Sequence, residues 1–192
     1  MKREIILLTG AVEAPHLEDA LLDARDDLGP DFSVAHVYDR AGLETAVAQP
    51  KPEGVRIVVA YCTNVIVPAS VLAACHGWAY NFHPAPPSYP GTHPANFAIR
   101  DGAKQFGVTA HVMTEQVDAG AIVDVNWFDV PEGTTATALE EMAYVALFGL
   151  FRALAPALAS SETKIPEIDA QWSGPVNTKE DVARARTENP NF

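Results

Sequence analysis

The sequence has 192 residues, 48% hydrophobic and 20% charged, which excludes a disordered chain and suffices for one domain with its own core. Thirteen Lys and Arg against twenty-five Asp and Glu leave a net charge of -12, which speaks against a phosphate-neutralising surface and hence against nucleic acid as the main ligand. Two cysteines without CxxC spacing, Cys62 and Cys75, exclude a disulfide scaffold and read as buried, reduced thiols of a cytoplasmic protein.

The opening MKREIILLTG has a short apolar run and no small-residue cleavage site, and no later segment is read as reaching transmembrane length, so no membrane partner is expected. Residues 4–9 (EIILLT), closed by Gly10, have the pattern of a strand buried on both faces. From Pro15 onward Leu17, Leu21, Ala24 and Leu28 recur at helical spacing among Glu18, Asp19, Asp23 and Asp26, and Gly29-Pro30 predicts the stop. A second strand follows at 32–38 (FSVAHVY), a short helix at 41–48, a third strand at 55–61 (VRIVVAY), one or two helical turns at 68–74 and a fourth strand at 77–82 (GWAYNF). The β-α-β-α-β order, with crossovers too long for hairpins, predicts an α/β fold with a doubly wound, Rossmann-like, mostly parallel sheet.

The second half changes character. Two strand-like runs, 106–115 (FGVTAHVMTE) and 121–130 (AIVDVNWFDV), are separated only by Gln116–Gly120, which suits an antiparallel pair. Residues 134–159 form a long helix, apolar almost all round and therefore read as buried, with Thr134, Thr135 or Thr137 as N-cap and Pro156 ending or kinking it. Residues 179–186 read as a surface helix, and the chain end as loose.

Ligands of open α/β sheets bind at the carboxyl ends of the strands. The first such end, Thr9-Gly10-Ala11-Val12-Glu13, lacks GxGxxG and Walker spacing, so no phosphate cradle is expected there. The third, Tyr61-Cys62-Thr63-Asn64, is a candidate pocket wall. The fourth carries Asn81-Phe82-His83-Pro84. Alternation along a strand puts Asn81 and His83 on one face about 6.6 Å apart, an amide and an imidazole suited to polarising a carbonyl oxygen. Next comes 85–94 (APPSYPGTHP), a proline-stiffened wall. In the 116–120 loop, Asp118 is placed to meet His83, with Gly120 allowing a tight turn; alone, Asp-x-Gly fits an Asx-type turn with no chemistry better than it fits catalysis. His76, His93 and His111 form no ligand motif with His83, and no metal is expected. Trp172, within 165–174 (IPEIDAQWSG), reads either as a cover over an acceptor pocket or as an aromatic packed on the surface.

Asn81-Phe82-His83-Pro84, the proline-rich loop to Gly91, Pro94-Ala95-Asn96-Phe97-Ala98-Ile99, Gly107-Val108-Thr109 and Val117-Asp118-Ala119-Gly120 together resemble the formyltransferase family, over roughly residues 4 to 155. Val58-Val59-Ala60-Tyr61 with Val67-Pro68 resembles the family strand and turn that line the folate pocket. Members share an Asn-x-His…Asp triad with the Asp roughly 35 residues beyond the His, and Asp118 stands 35 beyond His83 here. The resemblance implies a one-carbon group transferase that moves formyl from 10-formyltetrahydrofolate to a primary amine of a small-molecule acceptor. It implies Asn81 as oxyanion donor, a protonated His83 as second donor, and Asp118 as orienter and proton relay. It places folate against Tyr61, Cys62, Thr63, Val117, Ala119 and Gly120. Residues 1–160 are expected to be the catalytic domain and 161–192 a C-terminal extension packed on or trailing from it. A homo-oligomer through the apolar second half, a formyltetrahydrofolate hydrolase, and a non-catalytic folate-binding or regulatory protein remain open. The 81–91 loop is one residue shorter than the family pattern, the 61–68 segment longer, and the first strand-to-helix loop lacks the family's glycine- and serine-rich phosphate turn. The tRNA-binding extension and the deformylase regulatory domain also find no counterpart, so none of the familiar acceptors is expected.

Overall fold

The computed structural model describes residues 2–24, 31–50, 53–160, 162–189 and 192; the predicted stop at Gly29-Pro30, with Asp26 and Leu28, lies outside them. Strands β1 (Lys2–Leu8), β2 (Phe32–Val37), β3 (Gly54–Tyr61), β4 (Ala79–His83), β5 (Gln105–Val112) and β6 (Ile122–Asp129) form one sheet in the order β2-β1-β3-β4-β5-β6. The apolar runs of β1 and β3 occupy its centre, where both faces are covered. Strands β1 to β4 are mutually parallel, and β5 is antiparallel to both β4 and β6. The expected antiparallel pair is therefore present, and the reversal begins one strand earlier, at β4–β5. Strand β5 also ends at Val112, short of the predicted Glu115.

Among the described residues six helices flank the sheet: α1 (Glu13–Asp23), α2 (Arg40–Ala48), α3 (Ala69–Ala74), α4 (Pro94–Arg100), α5 (Ala136–Ser160) and α6 (Lys179–Glu188). Helix α1 starts two residues before Pro15, which the first turn tolerates because its N–H would lack a helical partner there. Asp39 caps α2 by accepting from Gly42 N at 2.7 Å, and a Thr178–Asp181 capping box opens α6. Two cores result. One gathers Ile5, Leu17, Leu21, Tyr61, Phe82 and Phe151 between the sheet and α1 and α5; the other gathers Ile6, Leu43, Val58, Val71 and Ala79 under α2 and α3.

Helix α5 departs from expectation in three ways. Pro156 lies inside the helix, which continues to Ser160. Burial is confined to one face: Leu139, Leu147, Leu150 and Phe151 are buried, whereas Val145 is 72% exposed. By length and composition the helix also suffices to cross a membrane, contrary to the reading that no segment does, but here it packs as the core helix on α1, α4 and the sheet. Thr135 is the cap among the three candidates, accepting from Ala138 N at 3.2 Å.

Phe151 has ring centroids of Tyr61 and Phe82 at 5.9 and 5.1 Å and is fully buried. Phe151→Ala should therefore lower the unfolding free energy by about 3–5 kcal/mol through lost burial and a residual cavity. Urea unfolding followed by circular dichroism checks this; an unchanged midpoint would mean that the α5 face is not the principal core.

Candidate active site

Three backbone segments meet at one edge of the sheet. Asn81 and His83, two apart on β4, project from the same face, and the antiparallel register of β5 puts His111 opposite Asn81. The loop between β5 and β6 then brings Asp118 back over both. Asn81 Nδ2 donates to His111 Nε2 at 3.0 Å and stands 3.4 Å from Asp118 Oδ1. His111 Nδ1 donates to the Val112 carbonyl at 3.0 Å, which leaves Nε2 as the acceptor. Asp118 Oδ2 accepts the Gly91 N–H at 2.8 Å and lies 3.4 Å from His83 Nδ1, while His83 Nε2 donates to the Tyr89 carbonyl at 3.1 Å.

Asp118 holds this position at φ 45, a left-handed conformation that Asp tolerates better than most residues. The tight turn expected from Gly120 is thus made by Asp118. Gly120 matters for close approach instead, since a Cβ there would lie 1.8 Å from the Val112 carbonyl oxygen.

His83, His111 and Asp118 are all nearly sealed, at 6%, 2% and 6% exposure. Burial lowers the His83 pKa below the ordinary imidazole range and outweighs the Asp118 carboxylate and the Tyr89 carbonyl, which raise it. Burial also raises the Asp118 pKa, but the contacts with His111, His83 and Gly91 N together hold it below the usual carboxylate value. An ionised Asp118 beside a neutral His83 is the resulting state near pH 7, rather than the imidazolium expected from the sequence.

The seal is the C-terminal segment. The proline-rich loop offers carbonyls but few N–H groups, and the tail supplies donors: Ser173 N to Pro87 O at 3.0 Å and Asn177 N to Pro90 O at 2.9 Å. Gly91, at φ 95, bridges to Asn177 so closely that a Cβ would lie 2.2 Å from the Asn177 oxygen. This docking carries Trp172 over the cluster, its ring centroid 5.0 Å from that of His111 and 5.9 Å from that of His83, with Nε1 donating to the Gly120 carbonyl at 2.8 Å. Of the two readings of Trp172, the covering position over the imidazoles is the one observed.

The other predicted residues separate. Cys62 and Thr63 follow β3 on the loop beside the Asn81 strand, and Val117 and Ala119 flank Asp118 with exposed side chains. Cys62 is exposed, so the buried-thiol reading holds for Cys75 alone. Tyr61 does not join this group. Ala60 pairs with Asn81, so Tyr61 shares the opposite face with Phe82 and is buried among Phe82, Tyr144 and Phe151. Two neighbours were absent from the predicted triad, His111 and the covering Trp172. The alternation of Thr109 and His111 in VTAHV marks a shared face, but only the β4–β5 register identifies it as Asn81's. Among the described residues no group of His, Cys, Asp and Glu is arranged to hold a metal.

Comparison with known proteins agrees with this architecture. The sequence profile of the family described as Formyl transferase matches residues 18–145, and the chain belongs to that family. A methionyl-tRNA formyltransferase of Listeria monocytogenes serotype 4a (strain HCC23) is 28% identical over 144 residues, covering 67% of this chain and 46% of that protein. The chain thus spans about half the length of the curated relatives it matches. In fold it is similar to a sugar N-formyltransferase from Shewanella sp FDAARGOS_354, with TM-score 0.74 and 18% identity over 94% of this chain and 78% of that one. It is equally similar, at TM-score 0.74 and 19% identity over 94% and 88%, to the formyltransferase PseJ from Anoxybacillus kamchatkensis, solved with UDP-4,6-dideoxy-4-formamido-L-AltNAc and tetrahydrofolate.

The lowered His83 pKa has a consequence for stability. Below about pH 6.5 the unfolded chain binds a proton at this imidazole that the folded chain does not, so unfolding free energy falls as pH drops. Asp118, also lowered, adds a second loss below about pH 4, again because the unfolded state takes up the proton first. Urea midpoints between pH 7.5 and 5 should decline in the native protein and decline less in His83→Gln; equal slopes would mean that His83 is already cationic when folded.

Proposed function

We propose that this chain transfers a formyl group from 10-formyltetrahydrofolate to the primary amine of a small-molecule acceptor, with Asn81, His83 and Asp118 as the reacting set. The convergence of carboxamide, imidazole and ionised carboxylate within 3.4 Å contacts carries the reading. Residues 1–160 are the catalytic domain in this proposal, and 161–192 an extension that closes it.

Acyl transfer passes through a tetrahedral centre whose oxygen gains negative charge. Asn81 holds two amide hydrogens, one in a 3.0 Å bond to His111 and one toward Asp118 at the longer 3.4 Å. The longer contact is the one that yields, turning an N–H toward the developing oxyanion. The acceptor nitrogen bonds to the formyl carbon, the bond from that carbon to N10 breaks, and the ammonium proton passes through Asp118 to the departing N10. His83, neutral at rest, gains basicity as negative charge develops beside it, and can then carry the positive charge that steadies the oxyanion. His111 acts on Asn81, fixing the carboxamide through its Nε2.

The residues fit a reduced folate on the Asn81 face. Cys62, Thr63, Val117 and Ala119 border that face, and Val65, Val67 and Met113, packed on the second core, add apolar surface for a flat ring. Tyr61 is not part of this proposed wall. The ligands bound in structural relatives, tetrahydrofolate with PseJ and folinic acid with the Helicobacter canadensis enzyme, support a folate donor. The Trp172 cover limits access of bulk water to the imidazoles, which favours transfer to an amine over hydrolysis.

Asn81→Ala should reduce turnover by about 10²–10³ through loss of one oxyanion donor, with the folded state intact. Asp118→Asn should be similarly impaired. Formate release from 10-formyltetrahydrofolate, measured with and without an amine panel, tests the chemistry: acceptor-dependent turnover is expected, and turnover without acceptor would assign the site to hydrolysis.

A further inference from the structure

The sheet has its topological switch point between β1 and β3, because the chain leaves β1 through α1 to one side and reaches β3 through α2 from the other. Crevices at such points receive ligands in doubly wound folds. Here the crevice is bordered by Thr9 after β1, Glu13 at the start of α1, Tyr61 ending β3 and Tyr144 on α5. It lies on the face opposite Asn81 and belongs to none of the reacting set.

Two observations single it out. Tyr61 Oη and Thr9 Oγ1 are buried, in residues 1% and 3% exposed, and neither has a hydrogen-bond partner among the described residues. A polar atom buried in this way costs about 1–3 kcal/mol, so a ligand that bonds it gains correspondingly. The Tyr61 ring stands edge-on to Tyr144 with centroids 6.4 Å apart, and Tyr144 Oη donates to Glu13 Oε1 at 3.3 Å. Burial, and then the charges of Cys62, Tyr144 and Glu13, push the Tyr61 phenol up, as expected for a hydroxyl enclosed beside an anion.

The second observation concerns sign. Glu13 folds back over Gly10, where Oε2 comes within 2.2 Å of the position a Cβ would take. The chain's own carboxylate therefore occupies the N-terminal end of α1, the place at which a helix would otherwise hold a phosphate. The crevice offers one negative charge and hydroxyl acceptors, and none of its four bordering side chains is a cation.

We propose that this crevice binds the far end of the acceptor and that this end is cationic, an ammonium or guanidinium group, rather than a phosphate. Adjacent strands lie about 4.8 Å apart, so the end of β1 is about 10 Å from the end of β4. A small diamine-like acceptor spans that distance with one end at Glu13 and the other at Asn81. This assignment rests on the formyl-transfer reading for the role of the second end.

Calorimetric titration of the full chain, without folate, with 1,5-diaminopentane and with 5-aminopentyl phosphate tests it. The diamine should bind at least tenfold more tightly than the aminophosphate, and Glu13→Gln should remove that preference. Tyr61→Phe should raise Tm, by deleting an unpaired buried hydroxyl, while weakening diamine binding; unchanged diamine affinity in Tyr61→Phe would make the tyrosine purely structural and overturn its part in the site. No heat with the diamine, equal or tighter binding of the aminophosphate, or an unchanged preference in Glu13→Gln overturns the proposal. Because no formyl donor is present, a failure here is separate from a failure of formyl transfer, which the Asn81→Ala assay reads.

Discussion

The buried carboxylate of Asp118 is the constraint on which the rest of the site depends. A charge taken out of water is costly unless it is paired and hydrogen-bonded. Asp118 meets that requirement with the Gly91 N–H at 2.8 Å and the Asn81 carboxamide at 3.4 Å, while ring nitrogens of His83 and His111 stand 3.4 Å away. These partners come from β4, β5 and the proline-rich loop, so one side chain ties together three segments far apart in sequence. The three 3.4 Å contacts are longer than ordinary hydrogen bonds, and only the Gly91 contact is short. The carboxylate is thus anchored by backbone and loosely held by the side chains around it, which leaves those side chains free to exchange partners.

The cover over the cluster follows from the same economy of donors. Prolines at 84, 86, 87 and 90 remove N–H groups from the loop while leaving its carbonyls, and the tail answers with Ser173 N and Asn177 N. Trp172 arrives as a consequence and excludes water from two imidazoles. In that enclosure electrostatic interactions strengthen, but the charged form of His83 is disfavoured.

Much of this was legible in the sequence, for identifiable reasons. Continuous apolar runs gave β1 and β3, and strict alternation placed Asn81 and His83 on one face of β4. Asp118 could be located from its loop together with the family pattern. What escaped depended on registers between distant segments. His111 becomes Asn81's neighbour only through the antiparallel β4–β5 pairing, and Tyr61 faces away from Asn81 because Ala60, not Tyr61, pairs with it. Pro156 was expected to end or kink α5, yet the packed face on either side, Phe151, Ala155, Leu158 and Ala159, is buried well enough to carry the helix through it. Reading α5 as apolar all round likewise missed that only one of its faces is covered.

Alternation also divides the carboxyl edge of the sheet into two chemistries. On the Asn81 face stand a carboxamide, two imidazoles and a carboxylate, linked by contacts of 3.0 to 3.4 Å. On the Tyr61 face stand Thr9, Glu13 and Tyr144, held by the first strand-to-helix loop and by α5, neither of which supplies a residue to the reacting set. A substitution in one group therefore leaves the geometry of the other intact, since the sheet backbone between them is fixed by ladder hydrogen bonds. A fold arranged in this way can keep one acyl-transfer centre while the sign and shape of its second site change, and Glu13 lying across the α1 N-terminus is such a change written in a single side chain.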